Sequence, residues 1–348
     1  MYFGDYERSK ITFSFRYCVN NIRRRPRHDY GPMVPSIQQT FVTSDGVRLN
    51  IECFSNDDDE NLPTVLFVHG VCESAETRGV QSMAKACARR KWRLLVLELA
   101  GHGLSQDLQR RSLTGSQDRG RAVCPNFGEL RDHVVEFSLE MMARYPKSRG
   151  FVLAGGSLGG SLVAYAARDV IDGSRKEKEG DSPDTPLLLG IAMIAPALGV
   201  DKRAVPPPAV VMALRAASYL IPGQGLMTPE EDPRHYACPP NSKRNFSGRW
   251  PLATAGMLLD VTSNLIPKDV ESKRVDSQLE GLESLLVIAG GRDQVVPLEC
   301  IQAWYDSITC LSSKKLHVLE GCDHGFLHDH PEAAFIDVLF DWCDRLVR

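Results

Sequence analysis

The chain has 348 residues, 43% hydrophobic and 24% charged with 28 glycines, which suits a globular protein and excludes collagen-like, coiled-coil and disordered classes. Lys+Arg number 41 against Asp+Glu 44, a formal charge of −3, so there is no bulk basic field to hold nucleic acid. The length would accommodate two domains of about 150 residues each or one large α/β unit. The ten cysteines are scattered and form no C-x-x-C pair, which argues against zinc ribbons and thioredoxin motifs and for buried thiols in a reducing compartment, the cytosol.

Residues 1–35 read as a basic N-terminal extension. From Met1 to His28 there are seven cations against Asp5 and Glu7, a net +5, interleaved with Tyr2, Phe3, Tyr6, Phe13, Phe15 and Tyr17. The segment lacks the apolar run of a secretory signal. Two readings stand: a partly ordered tail, or a basic-aromatic contact with an anionic membrane surface or organelle receptor.

From residue 36 onward short β-rich runs alternate with amphipathic helices. Ile37 to Ser44 and Val47 to Ser55, joined at Asp45-Gly46, form a predicted hairpin. Continuous apolar runs follow at Thr64–Val68, Arg93–Leu97, Phe151–Ala154, Leu187–Ile194, Leu285–Ile288 and Leu316–Leu319, as parallel strands covered on both faces require. Leu130, Val134, Phe137, Met141 and Tyr145 make one stripe on a helix ending at Pro146, and Phe335, Val338, Leu339, Trp342 and Leu346 make another. The predicted fold class is α/β, a mostly parallel sheet flanked by helices. The longest apolar run, Pro186 to Val200, is shorter than the roughly 20 residues of a membrane helix and reads as core.

Two stretches break the alternation. Gly173 to Pro186 is charged and contains two prolines, and is expected to be a solvated surface insertion. The segment from about 200 to 269 is rich in proline around the apolar stretches Ala209–Ile221 and Leu252–Leu259, as expected of a helical cap inserted between core strands. No phosphate-binding loop or dinucleotide fingerprint occurs, so nucleotide chemistry is unsupported.

The chemistry-bearing feature is Gly155-Gly156-Ser157-Leu158-Gly159-Gly160, directly after one strand and before a helix. A sharp strand-to-helix turn lifts a serine hydroxyl clear of the backbone, and Gly155 and Gly159 leave room for it. A serine needs a base, and the later strands supply one. Leu285–Ile288 leads to Asp293, and Leu316–Leu319 leads to His324. Ligand sites in open α/β sheets gather at the carboxyl ends of strands, so the order Ser157, Asp293, His324 can converge there as nucleophile, orienting acid and base. Asp323 is a rival acid, but it is adjacent to His324 in sequence. His324, His328 and His330 have no matching acid or cysteine spacing for a metal, and no metal or other cofactor is expected. An oxyanion hole would take the N–H of Leu158 and that of Val71 in the loop His69-Gly70-Val71-Cys72-Glu73, with Gly70 admitting close approach and His69 structural.

Taken in order, His69-Gly70, Gly101-His102-Gly103-Leu104-Ser105, the Gly155 to Gly159 turn, Gly291-Arg292-Asp293 and Asp323-His324-Gly325 resemble the α/β-hydrolase superfamily, and within it the monoacylglycerol lipase-like branch. The resemblance spans roughly Ile37 to Val347. It implies Ser157, Asp293 and His324 as the catalytic set, Val71 and Leu158 as oxyanion donors, and a mobile cap over an acyl-chain tunnel. The chain departs from the branch at Cys72, where glycine is usual, at Leu158, where methionine is common, and in a longer, more basic Gln106–Pro125 segment. Cys72 and Cys322 are expected near the pocket and open to thiol-reactive inhibition.

The function expected is hydrolysis of a carboxylic ester with a fatty-acyl chain through an acyl-enzyme. The partner is a small lipid or ester substrate, with peripheral membrane contact and no nucleic acid. Oligomeric state is not encoded in any motif. A short-chain carboxylesterase, a thioesterase, an acyltransferase or a peptidase of the same fold remain alternatives, and from another class a ligand receptor with vestigial hydrolysis. Haloalkane dehalogenases and epoxide hydrolases would need Asp in place of Ser157.

Overall fold

The computed structural model describes residues 32–55, 59–106, 110–111, 117–118, 122–124, 126–179, 187–200, 207–225, 242–244, 250–264, 272–327 and 334–348. The expected basic extension up to residue 31, the tip of the Gly173–Pro186 segment from 180 to 186, and His328 and His330 lie outside them.

The hairpin forms as β1 (Ile37–Val42) and β2 (Arg48–Phe54), turning at Asp45-Gly46. It is followed by β3 (Thr64–Val68), α1 (Arg78–Arg90), β4 (Arg93–Glu98), a two-stranded ribbon of β5 (Arg110–Arg111) and β6 (Gln117–Asp118), and α2 (Phe127–Arg144). Then come β7 (Phe151–Gly156), α3 (Leu158–Glu179), β8 (Leu188–Ile194), α4 (Pro208–Leu220), α5 (Leu252–Asn264) and α6 (Ser272–Leu279). The chain closes with β9 (Leu285–Gly290), α7 (Leu298–Asp306), β10 (Lys314–Leu319) and α8 (Ala334–Leu346).

Eight strands make one sheet in the order β1-β2-β4-β3-β7-β8-β9-β10. β1 and β2 are antiparallel to their neighbours; every other pairing, from β4 to β10, is parallel. Successive side chains on a strand face opposite sides. Leu66, Leu95, Leu153 and Ile191 therefore pack with Leu130, Phe137 and Leu162 of α2 and α3 on one face. Val65, Leu94, Val96 and Val152 pack with Met83, Phe340 and Trp342 on the other. Both faces being covered explains the unbroken apolar runs of the central strands. On that second face Asp344 accepts from Trp92 Nε1 (2.9 Å) and Arg90 Nη1 (2.7 Å), tying α1 to α8.

The structure corrects one expectation. Residues 173–179 are not a surface loop but the last turns of α3. The lysines and glutamates there are good helix formers, and Gly173 lets α3 approach α2 so closely that a Cβ would lie 2.8 Å from Leu139.

Candidate active site

The turn that carries Ser157 is held by backbone sterics. Ser157 has φ of 50°, in the left-handed region that a residue with a side chain enters only under constraint. Its N–H donates to the Ile194 carbonyl at 2.8 Å, and its own carbonyl accepts from Ala197 N at 3.0 Å, so β8 and the chain after it grip both sides of the residue. The glycines on either side are space requirements. A Cβ on Gly155 would sit 2.3 Å from the Gly159 carbonyl oxygen, and one on Gly159 would sit 2.1 Å from that of Val68. Only there can the start of α3 pass against the end of β3.

His324 lies in a single 3₁₀ turn (His324–Leu327) after β10. Its Nδ1 is 2.6 Å from Asp293 Oδ2 and its Nε2 is 3.1 Å from Ser157 Oγ. With the carboxylate accepting from Nδ1–H, Nε2 is the free acceptor facing the serine. Asp293 is fixed in turn, because its Oδ1 accepts the N–H groups of Val295 and Val296, each at 2.8 Å. Burial disfavours a charged His324 ring, but the Asp293 carboxylate and its hydrogen bond, helped by Glu73 and Asp323, outweigh it and raise the pKa. Asp323 is not the orienting acid: its Oδ1 caps the turn by accepting from Gly325 N at 3.0 Å, and its charge adds to the rise of the His324 pKa.

His69 is fully buried. Its Nδ1–H donates to the Gly70 carbonyl at 2.7 Å, and its Nε2 accepts from Leu99 N at 3.1 Å. Burial holds its pKa down, which keeps the ring neutral in this tautomer. The Gly70 carbonyl also accepts from Glu73 N at 3.3 Å. In a trans peptide the N–H points opposite to the C=O, so pinning the Gly70 carbonyl aims the Val71 N–H. The Leu158 N–H is aimed the same way by the bonds on the Ser157 carbonyl, and neither N–H donates to a partner among the described residues. A Cβ on Gly70 would lie 3.2 Å from Ser157 Cβ, so the two turns are neighbours.

The structure thus brings together Ser157, Asp293, His324, Val71, Leu158 and the supporting His69, Gly70, Gly155 and Gly159. Sequence reasoning gave no role to Glu73, whose Oε2 accepts from Gly70 N at 3.1 Å and whose charge helps raise the pKa of His324 and opposes the burial that lowers that of His69. Its adjacency to the His69-Gly70 turn was the available signal. Cys72 is buried at φ 62°, while the partly exposed Cys322 thiol is pushed up by burial and by Asp323, which disfavours the reactive thiolate. Among the described residues no group of three His, Cys, Asp or Glu side chains could hold a metal.

Residues 59–331 match the family described as serine aminopeptidase, S33. The chain belongs to that family of α/β-hydrolases. Solved structures agree on the fold of this hydrolase. A soluble variant of monoglyceride lipase from Saccharomyces cerevisiae, in complex with a substrate analog, is similar at TM-score 0.61 and 13% identity, over 92% of this chain and 98% of that one. Est1E from Butyrivibrio proteoclasticus with bound ferulic acid gives 0.55 and 15%, over 89% and 99%. A monoacylglycerol lipase of Paleococcus ferrophilus gives 0.53 and 17%, over 90% and 98%. No curated relative matches the hydrolase in sequence.

Proposed function

We propose that this hydrolase cleaves carboxylic esters through an acyl-enzyme, with Ser157 as nucleophile, His324 as general base and acid, and Asp293 as the orienting carboxylate. The observation that carries the reading is His324 bonded to both partners at once, 2.6 Å from Asp293 and 3.1 Å from Ser157 Oγ. His324 Nε2 takes the Ser157 proton as Oγ attacks the acyl carbon. The imidazolium so formed is stabilised by Asp293, Glu73 and Asp323. The developing oxyanion accepts from the Val71 and Leu158 N–H groups, which are aimed before substrate arrives and so need no reorganisation. When the tetrahedral species collapses, the ester C–O bond breaks and His324 returns the proton to the leaving alcohol. Water, activated by the same ring, then releases the acid.

The substrate proposed is a fatty-acyl ester of the monoacylglycerol type, and residues 200–269 are read as a cap. Its helix α4 is apolar yet has no buried residue, with Met212 67% and Tyr219 70% exposed. An apolar helix left in water within the insertion that follows β8 fits contact with a lipid surface. No helix among the described residues is long and apolar enough to cross a membrane, so the contact proposed is peripheral. Two of the similar structures are monoglyceride or monoacylglycerol lipases, which agrees with this choice.

The test is turnover of p-nitrophenyl esters of increasing acyl length, and of monoacylglycerols, by wild type and Ser157→Ala. Expected are a preference for long chains and glycerides and a loss of about 10⁴-fold or more in the variant. A short-chain preference would make it a general carboxylesterase, transfer to an added alcohol or thiol an acyltransferase, and a single slow turnover with retained product a receptor.

A further inference from the structure

Arg244 belongs to the insertion between β8 and β9, yet it lies against the opening strands of the sheet. Its side chain is 12% exposed. Nη2 is 2.5 Å from Glu52 Oε1 on β2, Nη1 is 2.9 Å from Glu98 Oε1 at the end of β4, and Nε is 3.4 Å from Glu76 Oε1. Glu98 is fully buried and the Glu52 side chain is 3% exposed. Arg244 thus pairs with both buried carboxylates at once. Carboxylates this deep are costly without a countercharge, and the planar guanidinium fork can serve several at once.

The partners of Glu98 give the cluster its meaning. Besides Arg244, this carboxylate accepts from Ala75 N at 3.0 Å, Leu104 N at 2.6 Å and Asn50 Nδ2 at 2.9 Å. Ala75 and Glu76 continue the loop that begins at His69, and Leu104 lies in the loop after β4. One carboxylate therefore ties two loops at the carboxyl ends of β3 and β4, and the charge that balances it comes from the insertion. Ser242, two residues before Arg244, bonds Glu76 as well and accepts from Arg244 N at 3.0 Å, so the segment is seated by more than one side chain.

We propose that Arg244 is a positioning residue, a latch that acts through Glu98 to set the His69–Thr77 loop and with it the Val71 N–H facing Ser157. With the guanidinium in place, Glu98 holds Ala75 and Leu104 in one geometry. Without the guanidinium, Glu52 and Glu98 lose their countercharge, must draw in solvent, and release the loop. The latch rests on the reading of Ser157 and Val71 given above.

The experiment uses the full chain with Arg244→Lys, Arg244→Ala and, as a control, Arg215→Ala. Arg215 pairs with Asp260 between α4 and α5 and does not touch Glu98. Readouts are kcat and KM on a p-nitrophenyl ester, the labelling rate of Ser157 by a fluorophosphonate, and amide hydrogen exchange of peptides covering 70–78. Expected for Arg244→Lys is a fall of about 10- to 100-fold in kcat and in labelling with KM little changed, and faster exchange at 70–78. Arg244→Ala falls further and regains rate when millimolar guanidinium is added, while Arg215→Ala keeps kcat. A folded Arg244→Ala or Arg244→Lys protein with wild-type kcat and unchanged exchange overturns the latch, as does an equal loss in Arg215→Ala. If Arg244→Ala fails to fold, Arg244→Lys decides alone. If the wild type turns over no ester, the hydrolase reading fails separately, and exchange at 70–78 in Arg244→Lys still decides the latch.

Discussion

The turn between β7 and α3 and the insertion between β8 and β9 both leave the carboxyl ends of neighbouring strands, but they are held by different means. The turn is fixed by backbone: a left-handed Ser157, glycines where a Cβ would meet a carbonyl at 2.1–2.3 Å, and main-chain bonds to Ile194 and Ala197. The insertion is fixed by side chains. Thr254 of α5 donates to the Ala122 carbonyl and accepts from Cys124 N at 2.8 Å, Met257 and Val261 reach the core, and Arg244 enters the acidic cluster. Helix α4 rests on α5 with no buried residue of its own. Backbone packed against backbone leaves no room for a Cβ, whereas contacts made by side chains can be changed one residue at a time. The turn that carries the proposed nucleophile is built the first way, and the insertion proposed as a cap the second.

This contrast can be broken at graded points. The largest effect is expected from Asp293→Asn, which keeps the fold but removes the charge that sets the His324 tautomer; kcat should fall by about 10⁴-fold. The same residue governs pH dependence. His324 must be neutral to accept a proton, and Asp293 raises its pKa after overcoming burial. The acid limb of kcat/KM should therefore lie above the ordinary histidine value of about 6.5, and stopped-flow or steady-state profiles should show it move down in Asp293→Asn. The stability contribution has the opposite sense: a raised native pKa stabilises fully below the unfolded value and is lost as pH rises through the native one.

Next is Gly159→Ala, whose Cβ would meet the Val68 carbonyl oxygen at 2.1 Å. The β3–α3 approach must open, at a cost of about 3 kcal/mol by denaturant unfolding, with activity lost even in the folded fraction. On the insertion, Thr254→Val keeps the volume but leaves the buried Ala122 carbonyl and Cys124 N–H without that hydroxyl, at about 1–3 kcal/mol. A calorimetric Tm would read it. The smallest effect on stability, within about 0.5 kcal/mol, is expected for Met212→Gln with Tyr219→Gln, since both side chains are largely in water. That pair should nonetheless weaken sedimentation with anionic phospholipid vesicles; unchanged binding would remove α4 as the membrane contact.

Much of this was legible in the chain because the signals were local. The parallel strands showed as apolar runs, and the candidate site showed as Gly155-Gly156-Ser157-Leu158-Gly159-Gly160 with Asp293 and His324 each placed just after a strand. A tight turn writes its glycines into neighbouring positions. The end of α3 was misread because a charged Lys/Glu run is equally at home in a loop or on a helix, and only the packing of Gly173 on Leu139 chose.

The sequence by itself determined the alternation of strand and helix and set Ser157, Asp293 and His324 each after a strand, because these depend on spacing along a few turns of chain; the family showed as a resemblance carried by five short motifs. The tertiary structure supplied the bond itself: Asp293, the acid that chain order already favoured, takes His324, and the adjacent Asp323 caps the turn. It alone brought Glu73 over Gly70 and placed Arg244 between Glu52 and Glu98 from a distant part of the chain. An ion pair across 192 residues leaves no periodicity or motif behind; it exists only once the sheet has set the distance.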